Sequence, residues 1–192
     1  LQDRISKAVL SSAAYPFYRH ENWRELDQFY HMSCIQGRHW PSMLRQVIPF
    51  LVRSILQNRD RYFDRYCKRS RSEDDIRILS HPVIRRRTAE MLALRTASGT
   101  DGIVEENLLN AQGWDFDPSD IHTPVEVFQG PDDNVAPVQG AELLVRHLGN
   151  AELHVLQGKG HYHHIESWPW LAARAAGKDM APGALGYDIP AF

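Results

Sequence analysis

Cysteine is scarce in this chain, and its scarcity excludes the first set of possibilities. Cys34 and Cys67 are the only two in 192 residues. They stand in no metal-ligand spacing and cannot form a disulfide framework, so free, buried thiols are expected. Long apolar runs are missing as well. None exceeds about six residues, as at 47–52, whereas a helix crossing a bilayer needs roughly 20. No basic-then-apolar leader opens the sequence. On the absence of such signals, a cytoplasmic location and no membrane partner are expected. Nor does charge of one sign dominate. The chain carries 22 basic and 24 acidic residues, net -2, so nothing calls for nucleic acid or an anionic surface. There is no internal repeat. The chain opens on Leu1 without an initiator methionine, which fits a beginning that was removed or lies on another polypeptide.

What is present divides into strand-like ends around a helical middle. Residues 4–10 form a short β-type run that leads into Ser11, Ser12, Ala13 and Ala14. Small residues there let the chain leave a crowded sheet edge. From residue 22 the apolar positions recur at helical spacing. A helix is expected over 22–36, another from the N-cap Ser42 to about Arg59 with Pro49 as a kink or break, and an extension over 59–69. Further helical segments are expected after Ser72, after His81-Pro82, and over 105–111. Residues 125–129 and 152–156 read as strands, with a helix over 140–148 between them. A closing helix is expected over 166–176. The Gly- and Pro-rich stretch 177–192 reads as a poorly ordered tail.

The residues with chemical potential lie late in the chain. Gly130-Pro-Asp-Asp133-Asn-Val135-Ala-Pro137 follows a strand, and Gly158-Lys-Gly160-His161 follows the next. Asp133 is either a turn-forming carboxylate or a site acid, with Asp132 as the fallback. His161, set after two glycines that permit a tight exposed loop, has an imidazole suited to proton transfer near neutral pH. The run His161-x-His163-His164 also invites a metal reading, but no acidic or thiol partner sits at a recognisable spacing, so no metal is expected. His163 and His164 are expected at a pocket mouth or facing solvent. Among the aromatic residues, Tyr15 and Phe17 are the leading candidates for a substrate-pocket wall, because they follow the strand end. The arginines over 59–87 alternate with Asp60, Asp64, Glu73, Asp74 and Asp75, which points to an ion-paired helix face.

Taken together, Gly130-x-x-Asp133-x-Val135-x-Pro137, the later Gly158-x-Gly160-His161 and the return run from Gly113 to Pro124 resemble the C-terminal part of an α/β-hydrolase. In that family the last two members of a nucleophile–acid–histidine triad occur in this order. The resemblance implies an α/β fold that is partial. It would have about three parallel strands, the first being strand six of eight, and an all-helical cap inserted between strands. The segments would be a core strand over 1–14, the cap over 15–112, a core segment over 113–176 and the tail over 177–192. It implies Asp133 as the acid that orients His161, His161 as the general base, and no cofactor.

The Gly-x-Ser-x-Gly turn that would carry the nucleophile does not occur in these residues. Ser11 and Ser12 lack its flanking glycines. The implied activity is therefore hydrolysis of an ester, amide or related carbonyl in a small molecule, with the nucleophile supplied from elsewhere. An Asp nucleophile would turn the same scaffold to epoxides or haloalkanes. The unpaired side of the first strand implies either a complementary N-terminal hydrolase segment or self-association. A non-catalytic binding module and an inactive truncated remnant are the alternatives.

Overall fold

The computed structural model describes residues 4–15, 35–112 and 114–178. Phe17 and Cys34 lie outside these residues, as does residue 179 onward. The described chain separates into two units. One comprises Leu1–Tyr15, Arg71–Asp74 and Asp115–Phe192, and the other Pro16–Ser70 and Asp75–Trp114.

The first unit is built on three parallel strands, β1 (Ala8–Ser11), β2 (Val125–Gln129) and β3 (Ala151–Val155), in the order β1-β2-β3. Ala8 stands opposite Val125, and Val125 opposite Ala151. β2 is central and buried at all five positions. Val125, Val127 and Phe128 are apolar, as suits a parallel strand covered on both faces, while Glu126 and Gln129 are buried with polar partners. Helix α6 (Val138–His147) connects β2 to β3, as a parallel pair requires, and buries Ala141 and Leu144. Helix α7 (His164–Ala175) packs beside β1, and its Trp170 meets Phe128 edge-on, with ring centroids 4.8 Å apart. Phe128, Trp170 and Leu171 form a buried cluster joined by Val9 and Leu156. On the same face, Glu126 accepts a hydrogen bond from Arg174 at 3.1 Å and pairs with Lys7 at 3.0 Å. The Arg174 hydrogen bond holds the Glu126 carboxyl below its usual range, with Lys7 adding to the effect against the cost of burial.

The second unit is helical. It contains α1 (Pro41–Gln57), α2 (Arg59–Arg69), α4 (Pro82–Arg95) and α5 (Asp101–Ala111); helix α3 (Glu73–Ser80) begins in the 71–74 stretch of the first unit. Pro49 does not break α1. The buried stripe Leu44, Ile48 and Val52 spans the proline and packs with Val104 and Leu108 of α5. That packing offsets the lost backbone hydrogen bond, which alone would favour a break. Residues 35–39 are helical, and a Cβ on Gly37 would lie 2.7 Å from the Cβ of Ala111. A side chain at 37 is therefore excluded. Within this unit Arg85 of the basic run binds Asp64 at 2.8 Å and Arg86 approaches Glu90 at 3.9 Å, and outside the run Arg45 binds Glu105 at 2.6 Å. Cys67 is a free, half-buried thiol. No described helix is long and apolar enough to cross a membrane.

Candidate active site

The site lies where β2 and β3 end, on two loops that press against each other. Gly130 permits the contact. A Cβ there would overlap the Lys159 carbonyl and approach the Gly160 oxygen to 2.8 Å. Gly158 supports the second loop with a φ of 72°, a conformation open to glycine. The two glycine motifs noted in the sequence are thus two sides of one interface. It is closed by backbone hydrogen bonds from Leu156 to Gln129 at 2.9 Å and from Asp132 to Lys159 at 3.4 Å.

This packing brings Asp133 and His161 together. His161 Nδ1 donates to Asp133 Oδ2 at 3.0 Å. The Asp133 side chain is fully buried, whereas that of His161 keeps 21% of its exposure. The other carboxylate oxygen, Oδ1, accepts from the backbone N–H groups of Val135 at 2.9 Å and Ala136 at 2.7 Å. Oδ2 also accepts from Gln129 Nε2 at 2.9 Å. Asp133 therefore has four donors and a fixed orientation. Gln129, fully buried itself, holds the carbonyl of Ala136 at 2.6 Å and accepts from the N–H of Ala13 at 3.0 Å.

His161 lines a cavity of about 450 Å³ bounded also by Val9, Ser11, Ser12, His164 and Trp168. Its backbone carbonyl is held by two side chains, Ser12 Oγ at 3.0 Å and His164 Nδ1 at 2.9 Å. Ser12 has a φ of 50°, the only positive value outside glycine among the described residues. The left-handed conformation costs such a residue about 1–2 kcal/mol. His163 does not face solvent. It is wholly buried, with Nε2 3.2 Å from Ser11 Oγ and Nδ1 3.4 Å from Ser167 Oγ. Burial drives its pKa down to about 4, so the ring is neutral. Burial lowers His164 too, against its hydrogen bond to the His161 carbonyl. His164 borders the cavity, in keeping with a place at a pocket mouth.

Each of the three histidines thus commits ring nitrogen to the protein, leaving their run poorly suited to share a metal. Another group, Glu126, Glu152 and His154, brings donor atoms within 4.8 Å of one another. Arg174 and Lys7 already meet the charge of Glu126 there. Tyr15 is not among the residues lining the cavity at His161. It is 3% exposed and stacks on His147 of α6, centroids 5.6 Å apart. Phe17 is outside the described residues. Sequence reading missed Gln129 and Ser12 in these roles: Ser12 bonds His161 149 residues away, and Gln129 links Ala13, 116 residues away, to the nearby Asp133.

A parallel sheet with a buried carboxylate after one strand and a histidine after the next defines an α/β arrangement with the two side chains paired at the strand ends. Comparison with solved structures identifies the fold. The chain is similar to a thermophilic esterase from Thermogutta terrifontis, with 19% identity and a TM-score of 0.52, over 92% of this chain and 56% of the esterase. It is similar also to an esterase from Exiguobacterium antarcticum, with 16% identity and a TM-score of 0.52, over 90% of this chain and 56% of that one. The chain therefore has part of the α/β-hydrolase fold and spans little more than half the length of these enzymes. No family model matches the sequence, and no curated protein matches it.

Proposed function

We propose that these residues are the C-terminal part of a cytoplasmic hydrolase acting on an ester, amide or related carbonyl of a small molecule. The observation that carries the reading is the His161–Asp133 hydrogen bond at 3.0 Å, made by a carboxylate with three further donors. Asp133 holds the imidazole in the tautomer with Nδ1 protonated, leaving Nε2 to act as base. In turnover, Nε2 takes the proton of a nucleophile as it attacks the carbonyl. Asp133 stabilises the imidazolium, and His161 returns the proton to the leaving group. No cofactor enters this sequence.

The nucleophile comes from residues outside these 192, on the same or a complementary polypeptide. β1 supports this. It pairs with β2 on one side only, and its other edge is unpaired among the described residues. An open edge is where a further strand adds.

The test is turnover of a short-chain p-nitrophenyl ester by the protein purified whole from cells that produce it, with His161→Gln and Asp133→Asn beside it. The reading expects hydrolysis, reduced roughly 10³–10⁴-fold in Asp133→Asn. Hydrolysis unaffected by either change would overturn it. Retained activity on an epoxide or haloalkane with none on the ester would move the chemistry to an Asp nucleophile.

A further inference from the structure

Three consecutive residues at the end of β1 reach the elements that carry the acid and the base. Ser11 Oγ lies 3.2 Å from Nε2 of the buried His163. Ser12 Oγ donates to the carbonyl of His161 at 3.0 Å. The N–H of Ala13 donates to Gln129 Oε1 at 3.0 Å, and the amide of Gln129 donates in turn to Asp133 Oδ2 at 2.9 Å. The segment therefore touches the base loop through one arm and the acid through the other. Small residues explain how the chain fits there, but they do not explain why Ser12 adopts a φ of 50°. That conformation disfavours serine on local grounds, and it is the one in which the Ser12 hydroxyl reaches the base loop. A strained residue is kept where surrounding contacts over-determine it.

We propose that Ser12 and Gln129 are positioning residues for the Asp133–His161 pair, acting together as a brace that fixes the imidazole against the carboxylate. The proposal rests on the reading of His161 as the base. Ser12 holds the backbone of His161, and Gln129 holds the oxygen of Asp133 to which His161 donates. In this role each acts through the Asp133–His161 pair. Their effect is on how long the Nδ1–H to Oδ2 hydrogen bond persists, and so on the fraction of time Nε2 is aimed at its proton donor.

A general base needs that geometry held within a fraction of an ångström. Ser12→Gly separates bracing from folding. Glycine adopts a positive φ without penalty, so the variant loses the hydroxyl and relieves the backbone at once.

The experiment follows the imidazole proton directly by NMR on the whole protein labelled with ¹⁵N-histidine. In the parent, a downfield Nδ1–H resonance is expected that disappears in His161→Gln. Ser12→Gly is expected to melt at the same temperature or higher, with exchange of this proton with water at least tenfold faster. Gln129→Leu is expected to show the same acceleration. Ser12→Asn, which tolerates a left-handed backbone and keeps an N–H donor, should recover slow exchange.

Unchanged exchange in Ser12→Gly and Gln129→Leu overturns the brace and leaves the acid–base reading standing. Faster exchange accompanied by a lower melting temperature, with no recovery in Ser12→Asn, also overturns it, because the residue would then be structural only. A parent without a His161-dependent resonance removes the acid–base pair itself, and the brace with it.

Discussion

Gly130 and Lys159 lie so close that a Cβ on Gly130 would overlap the carbonyl of Lys159. The acid turn and the histidine loop meet backbone to backbone at this point. Gly130→Ala must therefore push the loops apart, and backbone cannot yield as a flexible side chain can. A loss of at least about 2 kcal/mol in unfolding free energy is expected from such overpacking, with the His161–Asp133 hydrogen bond lengthened. Urea melts and the His161 proton resonance check the two parts separately.

Asp133→Asn should cost stability as well as activity. The asparagine oxygen can still accept from Val135 and Ala136, but its N–H₂ would then face the donors of Gln129 and His161. A buried donor set against donors costs about 1–3 kcal/mol. Denaturant unfolding measures it. A variant as stable as the parent would mean that the four-donor arrangement does not hold in solution.

Stability should fall in mild acid. In the unfolded chain His163 takes up a proton near pH 6.5, but in the folded chain only near pH 4, because burial disfavours the charged ring. Unfolding therefore binds a proton between those values. The stability His163 contributes is complete above about pH 6.5 and declines as pH drops toward 4. The slope is at most about 1.4 kcal/mol per pH unit for one proton. His164, also lowered by burial, adds a loss of the same sign. Glu126, held below its ordinary range by Arg174, contributes stability above its unfolded pKa that is lost in stronger acid. Urea melts from pH 7 to 4.5 should show the decline, and His163→Asn should flatten it.

Phe128 is the anchor of the sheet face under α7. It is 2% exposed and packs on Trp170 at 4.8 Å and on His154 at 4.5 Å. Phe128→Ala should cost about 3–5 kcal/mol, read as a lowered urea midpoint. A cost below about 1 kcal/mol would mean that α7 is not seated on this face.

Much of the fold was legible because its signals are local. Val125–Gln129 reads as a strand from its apolar run and forms one. Gly130, Asp133 and His161 were legible because tight loops demand glycine, and glycines beside a polar residue advertise a built turn. Pro49 signalled a kink or a break, and the break does not occur because the interhelical packing that carries α1 through it is tertiary. His163 was expected at a pocket mouth or facing solvent, yet Ser11 and Ser167 satisfy both its nitrogens in the interior. Gln129 and Ser12 carried no local signal at all. Ser12 reaches His161 across 149 residues, which no spacing rule detects, and Gln129 joins Ala13, 116 residues away, to Asp133 only four residues on.

The most direct test of the central claim is to find where the acyl group goes. The whole parent protein, with His161 present to activate the nucleophile, would be mixed with a p-nitrophenyl ester, quenched in acid at short times, digested and mapped by mass spectrometry. The account predicts one acyl group on a nucleophile outside these 192 residues, and none in a variant of that nucleophile. An acyl group on Ser11 or Ser12, or ester turnover by the parent with no acyl-enzyme trapped at any quench time, would contradict it.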